Sequence, residues 1–225
     1  MALIDEKTMG QLRERLADSL TGPVEIRLYR RPDTSRLVLP GGMGCQTCEA
    51  AEELARALAS AAPDHVQLTV VDVSLESSEV EAVPSLTVGA PGELPRITFQ
   101  GLPAGYEFSS LLDAVERVSG HSDGLAAEHS ERLAGLEDEV EVMVFVTPSC
   151  PYCPGAASMA NRMAIASPKV RSVVVEANEF PELSRRYEVQ GVPRTVVNRA
   201  GAFVGALPEA QFVNAVMDLV KGEVA

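Results

Sequence analysis

The sequence predicts an α/β protein made of two tandem units of about 100 residues each. Its four cysteines form two Cys-x-x-Cys pairs, at residues 45–48 and 150–153, offset by 105 residues. A valine–proline pair follows each of them, at residues 83–84 and 192–193. Self-similarity at a fixed period is typical of a repeated structural unit. We therefore expect both halves to fold alike, each as a central mixed β-sheet flanked by helices.

The second half predicts the element order βαβαββα. Runs of β-branched and aromatic residues between turn signals predict strands, and apolar residues at intervals of three and four predict helices. Pro151 and Pro154 are compatible with a first helical turn, where backbone N–H groups lack partners in any case. The predicted strands are residues 140–147, 170–176, 194–198 and 202–205, and the predicted helices are residues 156–166, 181–187 and a segment that starts at Pro208.

The first half repeats this order less cleanly, with two irregularities. A helix with a stripe of leucines at residues 12, 16 and 20 is added at its beginning. A long segment, residues 30–44, precedes Cys45, and residues 36–39 fit an additional strand there. The predicted strands are residues 24–29, 67–72, 85–88 and 96–100, and the predicted helices are residues 49–61 and 107–118.

The boundary between the units is predicted after residue 119. Residues 120–123 form a cluster of turn-forming residues, and residues 125–136 have the pattern of a connecting helix. This places an N-terminal unit at residues 1–119 and a C-terminal unit at residues 120–225.

The charge of the chain excludes some classes of partner. It carries 19 basic and 32 acidic residues, a formal net charge of −13, spread over both halves. Phosphate repels such a charge, so neither nucleic acid nor an anionic membrane is an expected partner. No uncharged apolar run approaches the roughly 20 residues of a membrane span, and acids stand where a secretory signal has basic and then apolar residues. We expect a cytoplasmic protein.

The spacing of the cysteines is typical of dithiol–disulfide exchange. When the first cysteine of such a pair lies at the amino end of a helix, unpaired N–H groups and the helix dipole favour its thiolate. The second sulfur, one turn further on, can attack a mixed disulfide and release the product. We therefore predict that Cys45 and Cys150 are the attacking thiols, and that Cys48 and Cys153 are the resolving thiols.

A zinc-stabilised interaction module is the competing interpretation of the cysteine pairs. Structural zinc sites usually take four ligands from two pairs that are about 15 to 20 residues apart. Here 101 residues separate the pairs, and neither pair has His65, His121 or His129 beside it. We expect no metal, and no cofactor other than the two redox-active disulfides.

Four segments resemble the protein disulfide oxidoreductases that consist of two fused thioredoxin/glutaredoxin-like units. They are residues 101–108 (GLPAGYEF), 145–154 (FVTPSCPYCP), 175–183 (VEANEFPEL) and 191–197 (GVPRTVV). The resemblance covers nearly the whole chain, although the loop before Cys45 is long and the segment between Asp72 and Pro84 is short. It implies two thioredoxin-like folds and thiol–disulfide oxidoreductase activity on protein disulfides, in reductase, oxidase or isomerase mode. It also implies recharging by a thioredoxin-reductase-like flavoenzyme.

The resemblance extends to the valine–proline pairs. In thioredoxin-like folds a cis-proline lies against the active-site disulfide, and the backbone of the preceding residue pairs with the incoming peptide. We therefore predict cis bonds and substrate-binding roles at Val83-Pro84 and Val192-Pro193. Tyr152 is a further candidate for substrate contact, and simple exposure is its alternative.

Two acids end equivalent predicted strands, Asp72 in the first unit and Glu176 in the second. A carboxylate at such a position can exchange protons with the resolving cysteine during turnover. The alternative is an acid that faces water or caps the following turn.

A second family resemblance leads to a related function. Residues 83–85 and 101–108 are similar to the amino-terminal domain of the alkyl hydroperoxide reductase flavoprotein, which also has two fused thioredoxin-like units. That domain usually keeps only the second cysteine pair. A redox adaptor that reduces a peroxiredoxin is therefore the second enzymatic interpretation, while the presence of Cys45 and Cys48 favours the first.

Overall fold

The computed structural model of the chain describes residues 5–31, 45–73 and 80–222. It confirms the order βαβαββα in the second half, while the predicted strand at residues 36–39 lies outside the described residues. The helices are α1 (Glu6–Ser19), α2 (Cys48–Ala61), α3 (Glu107–Ser119), α4 (Ala127–Ala134), α5 (Cys153–Ala166), α6 (Pro181–Arg186) and α7 (Glu209–Lys221). The strands are β1 (Val24–Arg30), β2 (Val66–Asp72), β3 (Ser85–Gly89), β4 (Ile97–Gln100), β5 (Val140–Val146), β6 (Val170–Glu176), β7 (Arg194–Val197) and β8 (Gly201–Val204).

All eight strands belong to one sheet, in the order β2-β1-β3-β4-β6-β5-β7-β8. Within each half, the first two strands are parallel and the last two are antiparallel hairpin partners. The halves are joined where β4 pairs in parallel with β6, from Ile97 opposite Ser172 to Gln100 opposite Val175. The repeat in the sequence is thus visible as two four-stranded blocks of a continuous sheet.

One face of this sheet carries the main hydrophobic core. Alternate residues of β5 point to opposite faces, because successive side chains in a strand alternate. Val142 and Val144 belong to the main core, together with residues of α1, α2, α3, α5 and α7. Met143 and Phe145 belong to a smaller cluster on the other face, where Phe180 and Leu183 at the start of α6 pack. The main core is continuous across both units.

The predicted boundary between residues 119 and 120 falls directly after α3. The contacts across it are extensive, since α3 of the first unit packs against α5 of the second, and α4 also packs on α5. Within the first unit, Arg15 of α1 forms an ion pair with Glu116 of α3, at a distance of 2.6 Å. The two units therefore share helix packing as well as the sheet.

Truncation of Phe99 tests whether the two units unfold together. Its side chain is 2% exposed in β4, at the joint between the units. We expect Phe99→Ala to lower the free energy of unfolding by about 3–5 kcal/mol, because it leaves a cavity in the shared core. In thermal unfolding followed by circular dichroism, the variant should melt in one transition at lower temperature.

The matched control is Leu94→Ala, since Leu94 is 88% exposed and its truncation should change stability by less than about 0.5 kcal/mol. A two-step melting curve for Phe99→Ala, with only part of the signal shifted, would contradict a common core.

Candidate active site

The two cysteine pairs occupy equivalent positions in the two units. Each forms a disulfide, with Cα–Cα distances of 5.4 Å for Cys45–Cys48 and 5.5 Å for Cys150–Cys153. The second cysteine of each pair is the first residue of a helix, and it is buried, at 4% exposed for Cys48 and 0% for Cys153. Cys45 and Cys150 precede the helices and are partly exposed. Only the first sulfur of each pair is therefore reachable by a protein substrate.

Both valine–proline bonds are cis, as predicted. The carbonyl oxygen of Val192 lies 3.9 Å from Sγ of Cys150, which places the second dipeptide against the second disulfide. The prolines also have equivalent backbone partners, because Pro84 accepts a hydrogen bond from the N–H of Gly101 and Pro193 accepts one from the N–H of Gly205. The repeat thus extends to the hydrogen bonds that hold each dipeptide.

Two tyrosines are exposed near the second pair. Tyr152, between the cysteines, is 72% exposed, which keeps it available for contact with a substrate. Tyr106 comes from the first unit, and its N–H donates a hydrogen bond of 3.0 Å to the carbonyl oxygen of Pro148, two residues before Cys150. Nothing in the sequence alone connects Tyr106 with the second site, because the contact depends on how the units join.

The two acids predicted as equivalent have different surroundings. Glu176 is 5% exposed, and burial raises the pKa of its carboxyl group. Asp72 is half exposed and accepts a hydrogen bond of 2.9 Å from Arg30. This is the placement of a solvent-facing ion pair, so Asp72 does not fit the predicted proton relay. Among the described strands β2 has β1 as its one neighbour, whereas β6 lies between β4 and β5.

Sequence reasoning missed a second buried acid, Glu107 at the start of α3. It is 1% exposed, and burial raises the pKa of its carboxyl group to about 7. One carboxyl oxygen accepts a hydrogen bond from Ser110, while the other is buried without a partner among the described residues. Glu107 and Glu176 both line the same small cavity, together with Val146 at the end of β5. An acid with a pKa near neutrality can both take up and release protons.

A second missed residue is Glu179, in the turn that follows β6. One carboxyl oxygen accepts a hydrogen bond of 2.6 Å from the hydroxyl of Thr47, between the cysteines of the first pair. The other accepts one of 2.8 Å from the N–H of Leu102. A residue of the second unit therefore contacts the first cysteine pair.

A cleft opens beside the first valine–proline pair. One wall includes Ala82, which precedes Val83, and the other is formed by Phe180 and Leu183 at the start of α6. The cleft thus lies between the first unit's dipeptide and the second unit's short helix.

The described part of the chain gives two further results on what it can bind. Among residues 5–31, 45–73 and 80–222, no three His, Cys, Asp or Glu side chains are grouped so that they could hold a metal ion. Within the same residues, every helix is too short or too polar to span a membrane.

These features define a thioredoxin-fold protein with two units, each with a disulfide at a helix start and a cis-proline. Residues 140–218 match the family model described as a thioredoxin domain. The fold class predicted from the sequence is confirmed, and the second unit is a thioredoxin-like domain.

Solved structures with the same two-unit arrangement are known. A protein disulfide oxidoreductase from Aeropyrum pernix superposes with a TM-score of 0.84 at 29% identity, covering 98% of this chain and 95% of that one. The alkyl hydroperoxide reductase protein AhpF of Enterococcus faecalis superposes with a TM-score of 0.81 at 22% identity, covering 95% and 99%. At that identity the second likeness shows the fold alone.

Curated relatives include the AhpF protein of the alkyl hydroperoxide reductase of Pseudomonas putida. It is 32% identical over 115 residues, which are 51% of this chain and 22% of that protein. The corresponding protein of Staphylococcus aureus is 29% identical over 126 residues, 56% of this chain and 24% of that one. The matched region thus spans less than a quarter of these relatives' length.

The raised pKa of Glu107 predicts a pH dependence of stability. The folded state holds the proton more tightly than the unfolded state, whose glutamate pKa is about 4.3. The free energy of unfolding should therefore fall as the pH rises from about 4.3 to about 7. Glu107→Gln should remove much of this slope and stabilise the oxidised protein at pH 8 by on the order of 1–3 kcal/mol. Urea unfolding at several pH values measures the effect.

The control is Glu182→Gln, because Glu182 has a side chain that is 90% exposed. This variant should keep the wild-type slope. An unchanged slope in Glu107→Gln would show that Glu107 does not titrate in this range.

Proposed function

We propose that the protein is a thiol–disulfide oxidoreductase that acts on disulfides of other proteins through its two cysteine pairs. The observation that carries the proposal is the arrangement around Cys150. This sulfur is reachable, it precedes a helix start, and it lies against the carbonyl of Val192, with the buried Cys153 as its partner. The likeness to a protein disulfide oxidoreductase over 98% of the chain supports the same function.

The first step is attack on a substrate disulfide. With the pair reduced, the Cys150 thiolate is favoured by the unpaired N–H groups at the start of α5. It attacks one sulfur of the substrate disulfide, so that a mixed disulfide forms and one substrate thiolate leaves. We propose that the backbone of Val192, which lies against Cys150, and the exposed Tyr152 hold the substrate segment beside Cys150.

The second step is resolution by Cys153. Its thiolate attacks the Cys150 sulfur, which closes the intramolecular disulfide and releases the second substrate thiol. Because Cys153 is fully buried, its proton has to leave to a nearby group. We propose Glu107 for this role, since α3 packs against α5 and one Glu107 oxygen has no partner among the described residues. Both oxygens of Glu176 already accept hydrogen bonds, from Asn178 and from Glu179.

A complete cycle oxidises the pair by two electrons, which an external donor must return. We propose that a thioredoxin-reductase-like flavoenzyme supplies them and that the two disulfides are the redox groups of this chain. A cytoplasmic location, where such reductants keep thiols reduced, fits this proposal. For the first pair, we propose that an extended substrate segment lies in the cleft between Ala82 and Phe180.

The second candidate function is that of a redox adaptor that reduces a peroxiredoxin. The observation in its favour is the similarity to the alkyl hydroperoxide reductase protein AhpF in sequence and in fold. The two functions differ in the acceptor of the electrons. If the reduced protein passes electrons to a peroxiredoxin much faster than to insulin disulfides, the adaptor is the better description.

Replacement of single cysteines tests the proposal. We expect Cys150→Ser to lose most of the insulin-reducing activity with dithiothreitol as donor, because no thiolate remains to attack at the second site. Cys153→Ser should instead accumulate a mixed disulfide with substrate, visible by mass spectrometry. Full activity in Cys150→Ser, combined with its loss in Cys45→Ser, would move the activity to the first unit.

Kinetics of resolution test the role of Glu107. When Cys150 carries a mixed disulfide with glutathione, Glu107→Gln should slow its release by about a hundredfold at neutral pH, since general acid–base groups contribute about that much or more. Glu176→Gln should slow release less, because both of its oxygens are occupied. Equal rates in Glu107→Gln and wild type would eliminate Glu107 as the proton acceptor.

A further inference from the structure

The first cysteine pair is contacted by a carboxylate that its own unit does not supply. Glu179 belongs to the turn after β6, and its carboxylate accepts hydrogen bonds from the Thr47 hydroxyl and from the Leu102 N–H. Thr47 lies inside the four-residue ring that the Cys45–Cys48 disulfide closes, and it is the N-cap residue of α2. The carboxylate is thus held at the residue that opens α2, within the ring that contains Cys45.

The position of Glu179 is determined by several independent contacts. Its N–H donates a hydrogen bond of 2.6 Å to Glu176, the buried acid at the end of β6. Gly101, with a φ of +92°, faces both acids. A Cβ on Gly101 would lie 2.8 Å from the Cβ of Glu176 and 3.2 Å from the carboxyl carbon of Glu179. Because Gly101 has no side chain, the turn after β6 has room to approach the first unit.

We propose that Glu179 is a positioning residue for the first cysteine pair, and that its carboxylate makes the Cys45 thiolate less favourable than the second site's Cys150 thiolate. A nearby negative charge disfavours a second one, so the reduced form of the first pair is destabilised at pH values where Cys45 ionises. The second unit thereby makes the first pair the stronger reductant of the two. The inference rests on the proposed dithiol–disulfide chemistry and concerns the balance between its two sites.

Other charged groups surround the first pair and have to be separated from Glu179. Glu49 and Glu52 lie in the first turns of α2, and Arg30 at the end of β1 pairs with both Glu52 and Asp72. Arg30 pairs with the acids Glu52 and Asp72, whereas Glu179 alone among these groups is hydrogen-bonded to a residue between the cysteines in the described structure.

Glu179→Gln tests the proposal, because the amide keeps the size of the side chain. Its oxygen can accept from Leu102 and its NH₂ can donate to the Thr47 hydroxyl, so only the charge is removed. The full-length reduced protein is alkylated with iodoacetamide over a range of pH values, and the Cys45 and Cys150 peptides are quantified separately by mass spectrometry. The pH at the midpoint of the Cys45 alkylation profile should fall by about one unit. The Cys150 profile should not move.

Equilibration with glutathione gives a second readout. Two glutathione thiols are oxidised to one disulfide while the Cys45–Cys48 disulfide gains two electrons and two protons. In Glu179→Gln at pH 8, this equilibrium should shift about threefold toward the Cys45/Cys48 dithiol, because the thiolate form has become more favourable.

Two control variants separate charge from structure. Glu182→Gln removes a carboxylate three residues away, whose side chain is 90% exposed and paired with Arg185, and it should leave both profiles unchanged. Thr47→Val removes the hydroxyl but keeps the Glu179 charge, and it should not lower the midpoint for Cys45.

The outcomes distinguish this inference from the proposed function. An unchanged Cys45 midpoint in Glu179→Gln overturns the inference, whether or not the protein reduces insulin. A lower midpoint that Thr47→Val or Glu182→Gln reproduces also overturns it, because charge at Glu179 is then not the cause. A shift specific to Glu179→Gln supports the inference even in a protein without reductase activity, in which case only the proposed function fails.

Discussion

The parallel pairing of β4 with β6 is the interaction on which the rest of the structure depends. It converts two four-stranded blocks into one eight-stranded sheet. Since both strands run in the same direction, the loops that follow them leave the sheet at the same edge. The loop after β4 then lies against Pro148 of the second site, and the turn after β6 lies against Thr47 of the first. Both cysteine pairs are therefore connected to a single joint.

Because of this pairing, residues at equivalent positions of the two units have different surroundings. Gly101 and Gly205 both have positive φ and both donate to a cis-proline carbonyl, yet only Gly101 has no room for a Cβ. β4 has the second unit as its neighbour, whereas β8 ends the sheet. The same reason separates Asp72 from Glu176, because the end of an edge strand is solvated and the end of an inner strand is covered. A carboxyl group without water pays a desolvation cost, which raises its pKa.

The sequence predicts features that depend on one unit alone, and it does not predict features that depend on contacts between the units. Features that depend on one unit alone were accessible: the element order of the second half and the cis bonds at Pro84 and Pro193. The roles suggested by Glu107 and Glu179 were not accessible, since neither lies in the same unit as the cysteine pair it is placed to influence. Their sequence signals, an acid opening a helix and an acid in a turn, are common on protein surfaces.

In this tandem, each unit contributes an acid to the surroundings of the other unit's cysteine pair, which a single thioredoxin-like unit cannot do. Glu107 of the first unit lies in α3, which packs against the helix of the second site, and Glu179 of the second unit accepts a hydrogen bond from Thr47 of the first site. An acid whose pKa lies near neutrality can accept and release a proton, whereas an ionised carboxylate near a thiol opposes its ionisation. The same residue type therefore has opposite effects at the two sites, decided by burial. Two pairs of similar local sequence can in this way differ in reducing strength.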